Sequence, residues 1–443
     1  MGRAALVLVV VWAILAIPRP ARAADPPPPP PFEFRRKPRL SDEDYLRKKE
    51  GPYLTGLPLA SYDPNTGVGL GAAGFVFVDG TRADPLFAYT PYQHRLFAQV
   101  FFTTGGLQSH WVDYDAPALG GSPWRVRAQG YFERNTSLNY FGIGERAHDL
   151  RVPGGAGTFD DLARYQDALA QLGGASYARY DKLDLCRPGM LGSIERSLLG
   201  GVMRSFFGLG VAHATVRDHA GAVERTRLGD DCARGAIRGC GGGWDNIVRV
   251  ALALDTRDFE PDPNSGVFAD LAADFGTRLI GSRYDYVRLM LAVRGYVSPF
   301  PRLADLVLAS RGVYEVQSAG VPFFSMNTLP FTEDVRTGLG GVRSLRGYRE
   351  NRFVGHVMAL TNHEIRWTFA RTTLAGERFA FIAVPFVDLG RVWGSVRRTS
   401  FARWNRSQGL GLRVAWNLST LIAIDYGFSD EDAGLYINFG HIF

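Results

Sequence analysis

Past residue 23 this sequence has no apolar run long enough for a spanning helix, which needs ~20 residues. Such a chain is either exported and soluble or crosses a membrane as strands. Only helices and closed barrels pair every backbone polar group inside lipid. Cysteine is scarce, at three in 443 residues. Cys232 and Cys240 share the Gly-rich loop "DDCARGAIRGCGGG", with no histidine between them, and Cys186 stands apart in "LDLCRPG". Two thiols do not complete a tetrahedral zinc site. In an exported chain Cys232 and Cys240 are the pair expected to form a disulfide. Histidine is sparse, eight and scattered, and neither G-x-S-x-G nor H-E-x-x-H occurs. These absences argue against an enzyme such as a lipase, and no cofactor or metal is expected. The formal net charge of +6 comes from dispersed basic residues, which leaves no nucleic-acid footprint.

What is present begins with an export signal. Arg3 supplies a positive start, Ala4 to Ile17 an apolar core, and "PRPARA" ends in small residues at Ala21 and Ala23. Residues 1–23 therefore read as a signal peptide cleaved after Ala23. Residues 24–50 read as a periplasmic linker. Its six consecutive prolines form a stiff spacer, and "SDEDYLRKKEG" is either a short helix capped by Ser41 and Gly51 or a solvated tail. The linker is shorter than the ~40 residues a soluble domain needs without staples.

From Gly51 to Phe443 the pattern is strand after strand. In "WDNIVRVALALDTR", Trp244, Val248, Val250, Leu252 and Leu254 share one face, and Asp245, Arg249, Asp255 and Arg257 the other. In "RLMLAVRGYV", Leu289, Leu291, Val293 and Val297 oppose Arg288 and Arg294. In "LIAIDYGF", Ile422, Ile424, Tyr426 and Phe428 oppose Ala423, Asp425 and Gly427. Period-two alternation marks strands with one apolar face, and in a membrane barrel the polar face meets the lumen. Sixteen strands are expected: 52–62, 67–79, 93–103, 107–115, 123–134, 175–187, 199–216, 244–257, 266–277, 283–297, 302–317, 353–369, 377–390, 408–417, 420–428 and 433–443. The fold class is thus an all-β, 16-stranded antiparallel transmembrane barrel spanning 51–443. The long connections 135–174, 217–243 and 318–352 then lie outside the cell, and "PDPNSG", "SPFPR" and "NLST" are periplasmic turns. "FDDLARYQDALAQLGG" reads as a helix within the third outer loop.

Two stretches carry a family resemblance. "GGVRSLRGYRENRF", Gly340 to Phe353, holds four arginines among glycines, and "FVDLG" spans Phe386 to Gly390. The first resembles the VRGY/F motif of the BamA/TamA superfamily of outer-membrane assembly and translocation barrels, and the second its F-x-D-x-G motif. The resemblance implies that the sixth outer loop folds into the lumen, with Arg346 meeting Asp388, Gly347 allowing close approach and Tyr348 packing beside it. Phe386 and Gly390 complete the second motif. Arg343, Arg349 and Arg352 are expected to be solvated or paired locally. "LDTRDFEPDPNSG", "NHEIRW" and "LASYDPNTGVGLGA" resemble further segments of the same family. The closing "GLYINFGHIF" places Leu435, Ile437, Phe439 and Phe443 on one face, with His441 in the same lipid-facing register. With Phe439, Gly440 and Phe443 it resembles the terminal signal by which outer-membrane barrels are recognised for insertion.

The resemblance implies a barrel, in the outer membrane of a Gram-negative envelope, that helps insert or translocate proteins or another substrate, with its sixth loop latched in the lumen. Members of the family typically carry POTRA domains before the barrel, and the 24–50 linker has no room for one, so a plugged channel or exporter without an assembly role is the alternative. Expected partners are outer-membrane lipids, the barrel-assembly machinery during the chain's own insertion, and a client or periplasmic partner engaged through the linker. Family practice also implies a labile seam between first and last strands, which Gly427, Gly434 and Gly440 would weaken.

Overall fold

The computed structural model describes residues 40, 45–46 and 48–443, except 64–65, 156, 174–176, 222–223, 260–261, 302–304, 333–334, 375–376 and 417–419. The signal peptide, the proline spacer and most of the helix expected at 41–50 lie outside the described residues.

Among the described residues, sixteen strands of seven residues or more pair antiparallel in chain order. They are β1 (Pro52–Asp63), β2 (Gly67–Val78), β3 (His94–Thr103), β4 (Gln108–Ala116), β5 (Trp124–Asn139), β6 (Lys182–Leu198), β7 (Met203–Asp218) and β8 (Ile247–Asp255). Then come β9 (Gly266–Gly276), β10 (Tyr286–Val297), β11 (Leu306–Gln317), β12 (Val357–Leu374), β13 (Glu377–Trp393), β14 (Asn405–Trp416), β15 (Thr420–Ser429) and β16 (Ala433–Phe439). A two-residue strand, Gly243–Trp244, adds to β7. Alternation sorts the faces. Leu289, Leu291 and Val293 of β10 are exposed, and the intervening Arg288 and Arg294 are buried. An exposed apolar band around a charged interior is the pattern of a barrel in lipid.

The sheet curls so that its ends approach each other. The Phe75 ring of β2 lies 5.6 Å from that of Phe439 of β16, and Thr55 of β1 approaches Thr420 of β15 at 3.5 Å. Among the described residues no backbone hydrogen bond joins β1 to β16.

Several expected boundaries shift. β6 runs 182–198 rather than 175–187, and the helix in the third outer loop, α1, spans Leu162–Gly173. β6 carries Pro188 and Gly189 in its interior, both strand-weakening residues that hide it from a pattern search. Its ladder to β7 is interrupted there, between Cys186 and Gly189.

The closing strand differs most. β16 ends at Phe439, and Gly440, at φ +78°, turns the chain inward. Phe443 therefore does not share the lipid-facing side of Leu435 and Ile437. It is buried with Ile442 against Tyr296, Val307 and Ala309, which face the lumen. Its ring lies 5.1 Å from the guanidinium groups of both Arg311 and Arg366. Arg311 donates to the Ile442 carbonyl at 3.1 Å and Arg366 to that of Phe443 at 3.0 Å. His441 leaves the lipid-facing register as well, bonding Asp262 at 2.8 Å. A left-handed glycine explains the departure, since it breaks the alternation that the sequence pattern extends through it.

The segment before β1 packs on the turn between β2 and β3. Leu40, Tyr45, Phe87 and Ala88 form a small core, and Lys48 donates to the carbonyls of Phe87 and Thr90 at 2.9 and 2.7 Å. Burial pushes the Lys48 amine down to about 8 and the Asp79 carboxyl up to about 7, each partly offset by the other's charge. At the opposite end, α1 and the third and fourth outer loops build a cap around Tyr140, Tyr165, Leu228 and Phe323. Cys232 and Cys240 are joined there in a disulfide, and Cys186 is free.

Candidate functional site

The sixth outer loop, 318–356, leaves β11 and descends into the lumen. A helical turn, Phe323–Met326, leads to a small hairpin pairing Thr328–Pro330 with Val335–Thr337. The barrel wall binds its backbone. Arg288 of β10 donates to the Thr328 carbonyl at 2.9 Å and Arg249 of β8 to that of Phe331 at 3.3 Å. Arg127 of β5 reaches the Thr332 carbonyl at 2.5 Å, and the Thr332 hydroxyl donates to Asp270 of β9 at 2.5 Å. Wall cations that meet loop carbonyls tie this short hairpin and the residues just after its first strand to the barrel wall.

The returning limb carries Arg346 to a hollow on β12–β15. Lateral pairing lines up Glu364, Phe386, Gly409 and Gly427 across these four strands. The two glycines leave the space. A Cβ on Gly427 would come within 2.8 Å of the Arg346 Cβ, and one on Gly347 within 2.9 Å of the Phe428 backbone. Gly347 also holds φ at +92°, a conformation costly for a side-chain-bearing residue. Its carbonyl accepts from the Ser429 hydroxyl at 2.8 Å, and its amide donates to the Tyr436 hydroxyl of β16 at 2.9 Å.

Arg346 is wholly buried. Its Nε and Nη2 donate to Asp388 at 2.8 and 2.9 Å, a bidentate fork. Nη1 meets Glu364 at 3.0 Å and Asp425 at 3.3 Å, and the guanidinium lies 3.3 Å from the centre of the Phe386 ring. Burial alone would lower the Arg346 pKa. The charge and hydrogen bonds of Asp388, then Glu364 and Asp425, outweigh it and hold the group above its ordinary value. Arg413 bonds Asp425 at 2.7 Å and Glu364 at 3.4 Å, and Arg366 bonds Glu364 at 2.9 Å. Three arginines thus face three carboxylates, a neutral cluster in a site where an unpaired charge is costly. Asn362 donates to both Asp388 and the Ser344 carbonyl, at 2.7 and 2.6 Å, tying the wall to the loop backbone.

The remaining residues of the two motifs have distinct tasks. Tyr348 packs against Phe353, with ring centres 5.1 Å apart, and its hydroxyl donates to the Arg406 carbonyl. Gly390 makes room for Leu339, whose Cδ2 would lie 2.9 Å from a Cβ there. Among the other loop arginines, Arg349 pairs with Asp432 and Arg343 donates to Asn438. Arg352 is not a solvated residue. It is fully buried, pairs with Glu431, donates to the Ala147 carbonyl and faces the Phe141 ring at 4.6 Å. In "LDTRD", Asp255 and Arg257 pair at 3.0 Å beside the Phe268 ring, and Asp258 accepts from three amides of the following turn.

Beside the latch lies a cavity of about 1130 Å³, bounded by β2–β10, the loop tip, β15 and β16. Phe75, Trp111, Tyr131, Arg187, Tyr436 and Phe443 are among the residues that line it, so the β16 end of the sheet borders open space inside the barrel.

Residues 30–93 match a domain of unknown function, DUF5982, and residues 121–443 match the Omp85 superfamily domain. No curated protein matches. Among solved structures, the chain is similar to BamA from Haemophilus ducreyi lacking POTRA domains 1–3, at 14% identity and a TM-score of 0.49, covering 89% of this chain and 70% of that one. It is similar to CdiB from Escherichia coli, at 11% identity and a TM-score of 0.47, covering 88% and 61%, and to CdiB from Acinetobacter baumannii, at 13% identity and a TM-score of 0.43, covering 89% and 60%. The chain spans about six-tenths of the CdiB chains it matches. With the superfamily domain running from residue 121 through the sixth loop and the latch to residue 443, the chain belongs to the Omp85 superfamily.

Proposed function

We propose that this protein is an outer-membrane barrel that assists insertion or translocation of polypeptides, with the sixth loop held in the lumen by the Arg346 latch. The observation that carries the reading is the bidentate Arg346–Asp388 pair inside a balanced set of six buried charges. Such a cluster defines one loop position, because any shift of Arg346 strands carboxylates in a dry site. Its role is positional and gating, with no chemistry performed. Support for a path into the membrane comes from the ends of the sheet, where among the described residues β1 and β16 share no ladder beside a large cavity. The test uses liposomes of zwitterionic lipid loaded with the purified protein. An unfolded outer-membrane barrel is added, and its folding is followed on unboiled gels. Faster folding than in empty liposomes, lost in Arg346→Ala, supports the reading. No acceleration, together with a large steady single-channel current indifferent to Arg346→Ala, assigns the protein to open channels instead.

A further inference from the structure

The connection between β13 and β14 folds back over the outside of the barrel. Trp393, Val357 and Ala359 occupy lipid-facing positions in the strand alternation, yet they are covered; Trp393 is 1% exposed. Trp404 lies across Trp393 with ring centres 6.1 Å apart, and Thr399 meets the hydroxyl of outward-facing Tyr314 at 3.3 Å. Residues 394–404 therefore drape down the extracellular rim of the wall, at the level of the outer lipid leaflet. There they present Phe401, 97% exposed, and Val396.

The flap and the strand ends that carry it are strongly cationic. Between Gly390 and Gln408 the sequence carries Arg391, Arg397, Arg398, Arg403 and Arg406, and no acidic residue. Arg398 pairs with Glu145 at 3.2 Å. Among the described residues the other four have no carboxylate partner, in contrast to the balanced charges of the latch. Arg391 donates one nitrogen to the Arg403 carbonyl, which brings two cationic residues together, and its Nε has no partner. Arg403 itself holds φ at +56°, a strained backbone for a residue with a side chain. Guanidinium groups crowded at a membrane surface favour phosphate, which they bind through paired N–H donors. A bare aromatic beside them favours the acyl boundary.

We propose that the β13–β14 flap is a binding site for a phosphorylated glycolipid of the outer leaflet. Arg391, Arg397, Arg403 and Arg406 hold the headgroup phosphates, and Phe401 enters the acyl layer. The proposal does not depend on what the lumen transports. The test is native mass spectrometry of the full chain in detergent, titrated with diphosphoryl lipid A. The double variant Arg391→Gln/Arg403→Gln should bind about thirtyfold more weakly, from roughly fivefold per cation at an anionic surface. Phe401→Ser should also lose affinity. Both variants should melt with the wild type, since Phe401 and Arg403 are exposed and Arg391 reaches only a flap carbonyl. Equal binding by the double variant overturns the proposal. So does equal binding of the dephosphorylated glycolipid, or displacement by equimolar inorganic phosphate, which would make the flap a site for a soluble anion.

Discussion

Removing the Arg346 guanidinium is the most direct way to ask whether the latch holds the loop. In Arg346→Met, Asp388, Glu364 and Asp425 are left facing Arg366 and Arg413 alone, one negative charge in surplus at a site closed to solvent. Breaking a buried pair in this way costs about 3–5 kcal/mol. The cost falls on loop docking, because the barrel ladders do not pass through Arg346. Local opening of 338–353 should then rise by about a hundredfold to a few thousandfold, using ~1.4 kcal/mol per decade. Hydrogen exchange of that segment measures it directly. Asp388→Asn leaves three arginines facing two carboxylates, yet should cost less, about 1–3 kcal/mol, because the amide oxygen still accepts from Arg346 and both Glu364 and Asp425 still touch it. The double variant restores charge balance, so the cycle should show a favourable coupling of about 2 kcal/mol. A coupling near zero, or opening increased less than about tenfold by Arg346→Met, would refute the argument that this pair positions the loop.

Gly347→Ala forces a Cβ to within 2.9 Å of the Phe428 backbone at a φ of +92°. It should loosen the same segment by about 1–3 kcal/mol, whereas Gly295→Ala, with nothing near its Cβ, should leave exchange unchanged. The tucked segment after Gly440 should release at acid pH. Burial, then the charge of Arg366, lowers the His441 pKa, so the docked ring is neutral and protonation opposes docking from about pH 6.5 downward. Burial would raise the Asp262 carboxyl, but the hydrogen bond it accepts from His441 lowers it, so its contribution is lost only at more acid pH, as pH falls through its docked pKa. Both signs agree. Protection of 440–443, corrected for intrinsic exchange rates, should fall between pH 7.5 and 5, and constant protection would contradict this. Replacing Cys232 and Cys240 by serine opens a loop whose ends are eight residues apart and should cost the cap about 2.5 kcal/mol. Calorimetry with and without reductant would show it, and an unchanged transition would mean the cap is held by Tyr140, Leu228 and Phe323 alone.

Much of this architecture is legible because a barrel strand writes its faces into the sequence with period two. β8, β10 and β15 alternate cleanly, so the exposure of Leu289 and the burial of Arg288 and Asp425 can be read directly. The Arg346–Asp388 contact is suggested by two motifs and their order. Asp425 is legible as a polar-face acid and Glu364 falls in the "NHEIRW" segment, but nothing local says that they converge on Arg346. That depends on the lateral register of β12 to β15, which alternation leaves open. Arg352 shows the same limit, since its partner Glu431 and the Ala147 carbonyl come from distant loops. Strand β6 is obscured by Pro188, and the inward turn at Gly440 by a backbone conformation that hydrophobic pattern does not encode.

The sixth loop has a consequence for how the molecule is made. It is tethered between β11 and β12, yet it touches wall strands from β5 to β15. A loop gripped from so many sides cannot be threaded into a finished cylinder without stripping each cation from its carbonyl. A loop in place before closure would serve instead as a mandrel: strands winding onto it, with β1 reaching β16 last, would avoid that stripping.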